Sequence, residues 1–465
     1  MLEILNSIDG FIWGPPLMIL LIGTGILMSV RLGLLQVMKL PKALQLIFTA
    51  RSKGEGDVSS FQALCTALAA TVGTGNIVGV ATAIKLGGPG ALLWMWLAAF
   101  FGMATKYSEG VLAVKYRTYD ENGNASGGPM YYIEQGLGKK FKPLAVMFSI
   151  FGVMTACLGS GTFTQVNAIT SIVNVSFGVS EYVVAAVLTV LVAVVIIGGL
   201  KSIANVASKI VPFMAAVYVI ATVSVLVFYA DALPAAIKLV IDGAFNGTAA
   251  AGGFAGAGIM LAMRSGIARG IYSNESGLGS APIVDACAAT RNPSRQALIS
   301  MSGVFWDTIV VCLLTGLVLV SSIIKDPVGM EGLVGAQMTA GAFNAIPVIG
   351  PAVLTFGLIT FAWSTILGWA YYGERAWVYL VGVEAIKPFR VAWTIVVLVG
   401  CSATLEVVWN VADTLNACMA FPNLIALLGL SGVIASETKK YVWDKDAEMG
   451  GLMKWMDDVA PSVDK

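Results

Sequence analysis

Long apolar stretches separated by short polar segments make up most of the sequence. Runs without Asp, Glu, Lys or Arg cover residues 11–30, 58–84, 143–180 and 347–373. A helix needs about 20 mostly apolar residues to cross a bilayer. The pattern therefore predicts eleven membrane-spanning helices, at approximately 12–32, 59–86, 90–115, 143–176, 182–200, 206–230, 243–268, 298–323, 347–373, 391–410 and 414–436.

The composition agrees with a chain whose main solvent is lipid. Apolar residues make up 57% and charged residues 12%, and the mean hydropathy is +0.83, whereas soluble domains are roughly 25% charged. The first ten residues contain no Lys or Arg, so we expect helix 1 to be retained rather than removed as a signal peptide. The sequence predicts an all-α polytopic membrane protein.

Positive charge is placed asymmetrically between the predicted helices. Lys and Arg near helix ends collect on the cytoplasmic side. With the N-terminus outside, all of the 28 Lys and Arg residues except Lys85, Lys238 and Lys325 lie inside. This distribution predicts a multi-pass protein of the cell (plasma) membrane with a cytoplasmic C-terminus, and it supports the count of eleven.

The available side chains exclude several classes of function. The six cysteines show no CxxC spacing, and the chain has no His. This excludes His-based metal sites, His proton relays and HExxH membrane proteases. We find no nucleophile paired with a base, so we expect no enzymatic activity. The cysteines are interpreted as small packing residues.

Two predicted helices contain glycine clusters that indicate interruptions. Helix 2 carries Gly73, Thr74, Gly75 and Asn76 near its middle, where backbone freed from the helix must line a cavity or be buried in protein. Close packing of helices through small residues is the alternative. That alternative stays open for helix 7, which contains Gly243, Gly247, Gly252, Gly253, Gly256, Gly258 and Gly266.

The order of the interrupted helices predicts an internal repeat. Five spans start with helix 2 and five start with helix 7, and an odd number per half inverts the second half relative to the first. We expect one N-terminal helix plus a 5+5 inverted repeat with a broken first helix in each half. The corresponding segments are 1–57 (extra helix and linker), 58–242, 243–436 and a cytoplasmic tail at 437–465.

An interrupted helix provides the groups that a zwitterion and a cation need. Amide N–H groups at a half-helix N-terminus attract a carboxylate, and unwound carbonyls coordinate a cation. We expect Gly73, Thr74, Gly75 and Asn76 to bind substrate, and the carbonyls of Ala69 and Val72 to bind sodium.

Helix 9 carries a hydroxyl cluster in an otherwise apolar span. Thr360, Ser364 and Thr365 are candidates to complete a sodium shell, although hydroxyls in membrane helices commonly bond their own i−4 carbonyl. The neighbouring Trp363 is interpreted either as a lid on the substrate pocket or as a packing residue.

Further candidates for the substrate pocket come from helices 4 and 7. Gln165 lies well inside helix 4 and needs a partner, which is either substrate or another helix. Phe163, Gly256 and Met260 are candidates for the pocket wall, although aromatic and Met side chains often serve only as core.

One acidic residue lies clearly within a span. Asp307 in helix 8 is a functional candidate by default and keeps open a proton-coupled carrier. It stands about nine residues from the helix start, so we expect it to lie away from the broken segments. With few fixed charges in the membrane, a substrate of zero net charge is the least costly to desolvate.

Four segments resemble the alanine or glycine:cation symporter family. The strongest match is GGPGALLWMWL at 87–97, with Leu93 where Phe is usual, followed by Gly102, Lys106, Tyr107 and Glu109. The others are TVGTGNIVG (71–79), GGPMYYIEQGLG (127–138) and GIYSNESGLGSAP (270–282). After Pro282 the chain departs from the family, which often has a His nearby.

The resemblance implies a fold like that of the bacterial leucine transporter, with ten core helices and one in front. It also implies sodium-driven uptake of alanine or glycine, with helix 2 backbone binding substrate and sodium, and with Ser364 and Thr365 supplying hydroxyls to the ion. We therefore expect a sodium-coupled symporter of small neutral amino acids that works as a monomer by alternating access. The rivals are proton coupling through Asp307 and an ion channel, which the lack of acidic rings disfavours.

Overall fold

The computed structural model describes residues 10–49, 55–246, 258–402 and 405–443, and helices dominate these segments. The first half contains α1 (Pro15–Arg31), α2 (Leu35–Met38), α3 (Leu40–Thr49), α4 (Ser60–Thr71), α5 (Val78–Gly87), α6 (Gly90–Lys115), α7 (Pro129–Tyr132), α8 (Lys142–Leu158), α9 (Phe163–Phe177), α10 (Glu181–Ile196), α11 (Gly199–Phe228) and α12 (Leu233–Asn246).

The second half contains α13 (Ile259–Asn274), α14 (Pro282–Asp285), α15 (Pro293–Val304), α16 (Leu313–Lys325), α17 (Gly335–Phe343), α18 (Ile349–Val381), α19 (Ile386–Val399), α20 (Leu405–Gly429) and α21 (Ser431–Thr438). Short 3-10 and π-helical turns join several of them. The two short strands β1 (Thr118–Tyr119) and β2 (Ala125–Ser126) pair antiparallel after α6.

Length and composition alone identify six helical stretches that are able to cross a bilayer, within the described residues. They are Lys139–Phe177, Gly199–Phe228, Pro293–Lys325, Ile349–Val381, Val383–Ser402 and Val407–Gly429. Shorter apolar helices occur at Pro15–Arg31, Ser60–Thr71, Val78–Gly87 and Glu181–Ile196. The chain is a multi-pass helical membrane protein, whereas the count of eleven and the inverted repeat stay predictions.

The interruption predicted in helix 2 is confirmed. Helix α4 begins with a capping box, in which Ser59 Oγ accepts from the Gln62 amide and Gln62 Oε1 accepts from the Ser59 amide. It ends at Thr71, a single 3-10 turn follows at Thr74–Asn76, and α5 resumes at Val78. Every residue from 63 to 81 is buried, as an interrupted backbone at bilayer depth requires.

The predicted bounds of helix 7, 243–268, differ from the structure. Helix α12 extends across the predicted boundary between residues 242 and 243, and α13 continues six residues beyond the predicted end. Most of the glycine cluster, including Gly256, falls outside the described residues. After α13 the backbone leaves the helix at Glu275, which has a positive φ of 57°, and Gly277 and Gly279 also have positive φ.

Predicted helix 4 and the predicted boundary between helices 10 and 11 also differ from the structure. Helix 4 is interrupted between Leu158 and Phe163, where Gly159 and Gly161 lie. The gap predicted between helices 10 and 11 does not exist, because α20 runs unbroken through Asp413. Asp413 is tolerated in a helix because it forms a buried ion pair with Arg269 of α13, a partner that local sequence does not reveal.

Helix α6 occupies the centre of the bundle. It packs along α13 and α15, and also contacts α1 and α12. Glycines allow these close approaches: a Cβ at Gly266 would lie 2.2 Å from the Ala91 carbonyl oxygen, and one at Gly110 would lie 2.9 Å from Ala297 Cα. This packing brings α13 against the interruption between α4 and α5.

Candidate substrate and ion site at the interrupted helix

The interruption between α4 and α5 releases backbone oxygens from hydrogen bonding. Val72 is extended, with φ −74° and ψ 93°. The next amide, that of Gly73, donates to Asn76 Oδ1 at 2.9 Å instead of back into α4. Since the last carbonyls of a helix have no partner within it, Ala69 O becomes available to groups outside α4.

Two hydroxyls of α18 face these released oxygens. Ser364 Oγ lies 3.3 Å from Ala69 O, and Thr365 Oγ1 lies 3.5 Å from Val72 O. Both side chains are buried, and each hydroxyl also lies 2.9 Å from Phe361 O. Four of the five oxygen donors expected for sodium are thus neighbours, and neutral oxygens of this kind suit a hard cation.

Thr360, the fifth expected donor, is not brought into this group. It lies about one helical turn before Ser364, is partly exposed, and donates to Phe356 O at 2.8 Å. Its hydroxyl is therefore bonded within its own helix.

Gly73 lies between the ion side and the substrate side of the site. A Cβ at this position would lie 2.5 Å from Thr365 Oγ1 and 3.3 Å from Gln165 Oε1. The Thr74 amide donates to Gln165 Oε1 at 3.3 Å. Gln165 therefore finds its partner in the turn after α4. Its Oε1 accepts from the Thr74 amide, which is one of the groups expected to bind the substrate carboxylate.

The interruption in helix 4 orients Gln165. Its Nε2 donates to Ser160 O at 2.9 Å, within the break between α8 and α9, and to Thr164 Oγ1 at 3.2 Å. Tyr272 of α13 also donates to Thr164 Oγ1, at 3.0 Å. Thr74 Oγ1 is buried and has no hydrogen-bond partner among the described residues, which leaves a polar group available beside these side chains.

The other expected pocket residues are less closely grouped. Trp363 is partly buried, and its Nε1 has no hydrogen-bond partner among the described residues. Phe163 packs towards Gly400, at which a Cβ would be 3.4 Å from the Phe163 ring. Met260 is 62% exposed at the start of α13. The structure does not bring Met260 to the interruption.

Asp307 lies against the interruption, contrary to the expectation from sequence. Asn76 Nδ2 donates to Asp307 Oδ1 at 2.8 Å and to Asp307 O at 3.1 Å. Asp307 Oδ2 accepts from Ser273 Oγ at 2.8 Å and from Thr308 Oγ1 at 2.6 Å. Asp307 is fully buried in a π-helical turn, Phe305–Cys312, and such turns often occur at functional sites.

Ser273 completes the polar group around Asp307, and sequence analysis also missed it. A Cβ at Gly75 would lie 3.0 Å from Ser273 Cα, so α13 approaches the 3-10 turn closely. The sequence signal for this polar group was Asp307 itself, an acid within an apolar span. Its position beside the turn depends on contacts between residues far apart in the chain.

The segment after α13 forms a second buried non-helical region. Glu109 Oε1 accepts from the amides of Gly277 and Gly279, both at 3.1 Å. Lys106 Nζ donates to Asn274 O at 3.1 Å, and Trp369 Nε1 donates to Glu275 at 2.8 Å. Charged side chains of α6 thus bind backbone groups of this segment, as burial requires, while Glu109 Oε2 has no hydrogen-bond partner among the described residues.

Comparisons with known proteins agree with this architecture. The sequence model of the Sodium:alanine symporter family matches residues 1–453. An uncharacterized transporter of Haemophilus influenzae is 54% identical over 94% of this chain and 96% of its own length. The sodium/alanine symporter AgcS of Methanococcus maripaludis is 49% identical over 94% of this chain and 97% of its own length.

A solved structure is also similar. MhsT in complex with L-phenylalanine matches over 88% of this chain and 94% of its own length, with a TM-score of 0.51 and 15% identity. At this identity the likeness shows the fold alone.

Proposed function

This chain belongs to the sodium:alanine symporter family, and we propose that it takes up a small neutral amino acid, such as alanine or glycine, together with sodium by alternating access. Membership makes it a transporter of the cation-coupled amino-acid symporter class rather than an enzyme. The observation that carries the finer proposal is the meeting of two α18 hydroxyls with two carbonyls of the interrupted helix.

The proposed sodium ion takes its ligands from both sides of a helix contact. Ala69 and Val72 contribute carbonyl oxygens from the end of α4, and Ser364 and Thr365 contribute hydroxyl oxygens from α18. The ion therefore joins α4 to α18 in addition to their packing, and without the ion the hydroxyls and carbonyls are joined by two long hydrogen bonds. This gives sodium differential affinity for conformations in which the two helices are together.

The proposed amino-acid site begins one residue after the ion site. Gly73 lines this site while its amide stays bonded to Asn76 Oδ1. Thr74 and Gly75 present amides to the substrate carboxylate, and Gln165, which accepts from the Thr74 amide, supplies a polar side chain beside them. Because Val72 O binds the ion and the following amides bind the carboxylate, one short segment carries both ligands. Sodium occupancy then fixes the backbone that the amino acid needs, which is positive cooperativity between them.

The membrane potential supplies part of the driving force in this proposal. With the N-terminus outside, as the placement of Lys and Arg predicts, inward movement of one charge across 100 mV yields about 2.3 kcal/mol. The amino acid adds no net charge. Uptake against a gradient therefore needs no chemical step.

A second candidate, proton coupling through Asp307, is favoured by one observation. The Asp307 carboxylate contacts Asn76 in the interrupted segment, so a change of its charge would reach the proposed substrate site directly. Under this candidate a proton on Asp307 takes the place of the sodium ion.

Uptake into proteoliposomes tests the proposal. Radiolabelled alanine is offered under an inward sodium gradient, under a potassium gradient, and under an inward proton gradient without sodium. The proposal expects accumulation with sodium only. Accumulation with protons alone would replace sodium by Asp307 as the coupling site.

A matched pair of variants tests the ion site itself. Thr365→Ala removes a proposed ligand, and we expect the sodium concentration for half-maximal uptake to rise by about tenfold or more, since one lost polar contact costs about 1–2 kcal/mol. Thr360→Ala, in the same helix with its hydroxyl bonded to Phe356 O, should leave that concentration nearly unchanged. Equal effects of the two variants would remove Thr365 from the ion site.

A further inference from the structure

A polar cavity lies away from the interrupted helix, at the end of the bundle where α4 begins. Its volume is about 220 Å³. The wall combines the segment before α4 (Asp57), the loop between β1 and β2 (Asn124), the start of α11 (Lys201), the end of α18 (Glu374, Arg375) and α19 (Arg390). At about 30 Å³ for each water, this space holds roughly seven waters, so it suits a ligand the size of alanine.

Most charges in the wall already neutralise one another. Arg375 Nη1 donates to Asp120 at 3.1 Å and its Nη2 to Glu374 at 3.0 Å. Arg390 donates to both oxygens of Glu374, from Nε at 2.6 Å and from Nη2 at 3.2 Å. Glu374 is therefore satisfied, and it does not need a ligand.

Two polar groups of opposite charge in the wall are left available among the described residues. Arg375 is 5% exposed, and its unpaired Nε is too buried to be reached from the cavity, so Arg375 contributes only its charge. Lys201 is exposed and makes neither a hydrogen bond nor an ion pair with the described part of the chain. Asp57 accepts from the Ala125 amide through Oδ2 at 2.9 Å, which leaves Oδ1 available.

These groups carry both signs of charge. Burial raises the pKa of Asp57, while the Ala125 amide and the charges of Lys201 and Arg375 oppose that rise, so the two cations act on the same carboxylate across the cavity. One available ammonium and one available carboxylate oxygen fit a molecule that has both an anionic and a cationic end. A polyanion would meet the Asp57 carboxylate at close range, which disfavours it.

We propose that this cavity binds a second small zwitterionic amino acid, with its carboxylate on Lys201 and its ammonium on Asp57. Asp57 stands three residues before α4, and Lys201 belongs to α11. A bound amino acid therefore bridges the start of α4 and α11, which packs against both α4 and α18, the two helices of the proposed sodium site. Resting on the proposed function, this bridge slows transport when the amino acid accumulates on the side to which the cavity opens.

Equilibrium binding of radiolabelled alanine to the purified full-length protein tests the proposal. We expect a sodium-dependent component and a separate sodium-independent one. Lys201→Ala should weaken the sodium-independent component by about tenfold, since hydrogen bonds to charged groups are the stronger ones. The sodium-dependent component of the same variant reports an intact fold. Lys209→Ala, an exposed lysine of the same helix that does not line the cavity, is the matched control.

The outcomes separate this cavity from the transport site. A single sodium-dependent component, or a sodium-independent one that Lys201→Ala does not weaken, would overturn the second site and leave symport intact. Absence of the sodium-dependent component would overturn the proposed function instead. Propionate and alaninamide serve as competitors that carry one charge each. Both should compete poorly, and displacement by propionate as effective as by alanine would make this an anion site and refute the zwitterion assignment.

Discussion

The side chain of Asn76 connects the interrupted helix to the single acid of helix 8. Its Oδ1 accepts from the Gly73 amide at 2.9 Å, and its Nδ2 donates to Asp307 Oδ1 at 2.8 Å. Asp307 therefore positions the turn on which both proposed ligands depend, whether or not it carries a proton during transport.

This connection predicts different results for two substitutions of Asp307. Asp307→Ala removes the acceptor of Asn76 and should reduce sodium-driven alanine uptake by about tenfold or more, because buried donors are left unpaired. Asp307→Asn keeps an acceptor for Asn76 but cannot bind or release a proton. We expect it to retain much of the sodium-driven uptake in proteoliposomes. Complete loss in Asp307→Asn, with normal protein yield, would favour proton coupling.

Gly73 should not tolerate a methyl group. In Gly73→Ala the new Cβ would approach Thr365 Oγ1 to 2.5 Å and Gln165 Oε1 to 3.3 Å, so the proposed ion and substrate groups must separate. We expect sodium-dependent alanine binding to fall below detection. Gly79→Ala is the control, since the nearest atom to its Cβ is Thr74 O at 4.0 Å. Similar binding by both variants would show that the segment around Gly73 accommodates the added methyl group without weakening the binding of alanine.

The ion pair of Arg269 and Asp413 should contribute strongly to stability. The side chains are 13% and 7% exposed, and the guanidinium also lies 5.0 Å from the Trp409 ring centroid. Arg269→Ala leaves Asp413 buried without its partner, which in buried pairs costs about 3–5 kcal/mol. We expect a clearly lower melting temperature in detergent.

An exposed pair on the same protein provides the comparison. Lys325 and Asp231 are 43% and 65% exposed, and pairs of this kind contribute little. Lys325→Ala should therefore leave the melting temperature almost unchanged. If Arg269→Ala behaved in the same way, the charge of Asp413 would have to be accommodated by other groups.

Asp285 predicts a pH dependence of stability. It lies in α14, between predicted spans, and accepts from Gln296 at 2.9 Å and from Ser300 at 2.6 Å. Burial raises its pKa to about 6, although both hydrogen bonds and the charge of Lys106 act to lower it. The folded protein thus binds this proton more tightly than the unfolded chain, and the resulting stabilisation is lost as the pH rises through about 6.

Melting temperatures of the protein and of Asp285→Asn between about pH 4 and pH 7 test this sign. The protein should lose stability relative to the variant as the pH increases, because the carboxamide of the variant cannot ionise while it keeps hydrogen bonds to Ser300 and Gln296. If the melting temperatures of the two proteins changed with pH in parallel, ionised Asp285 would be tolerated in its buried position.

The broad architecture and part of the site were predictable from local sequence. Apolar runs identified a multi-pass helical protein, because the length of a spanning helix is fixed by the bilayer. The glycines and Asn76 identified the break in helix 2, because weak helix formers act at their own positions. Ser364 and Thr365 are candidates for the ion site because hydroxyls are conspicuous in an apolar span.

The rest depended on contacts between distant parts of the chain. Asn76 and Asp307 are 231 positions apart, and their hydrogen bond reversed the interpretation of Asp307 as a residue remote from the break. The predicted gap between helices 10 and 11 contains Asp413, whose partner Arg269 lies 144 positions earlier and is therefore not visible in the local sequence. Thr360 and Thr365 are chemically alike, and only the packing of α18 against α4 separates them.

Sequence by itself thus determined that lipid is the main solvent of the chain and that the fold is helical. It also determined the break in helix 2 and the resemblance to a symporter family. These follow from composition, periodicity and local backbone preference, which act over one or two turns. The tertiary structure alone decided which polar groups meet, where the region after α13 leaves the helix, and which buried charges are paired. The physical reason is that burial makes an unpaired polar group costly, and its partner is chosen by packing rather than by proximity in the chain.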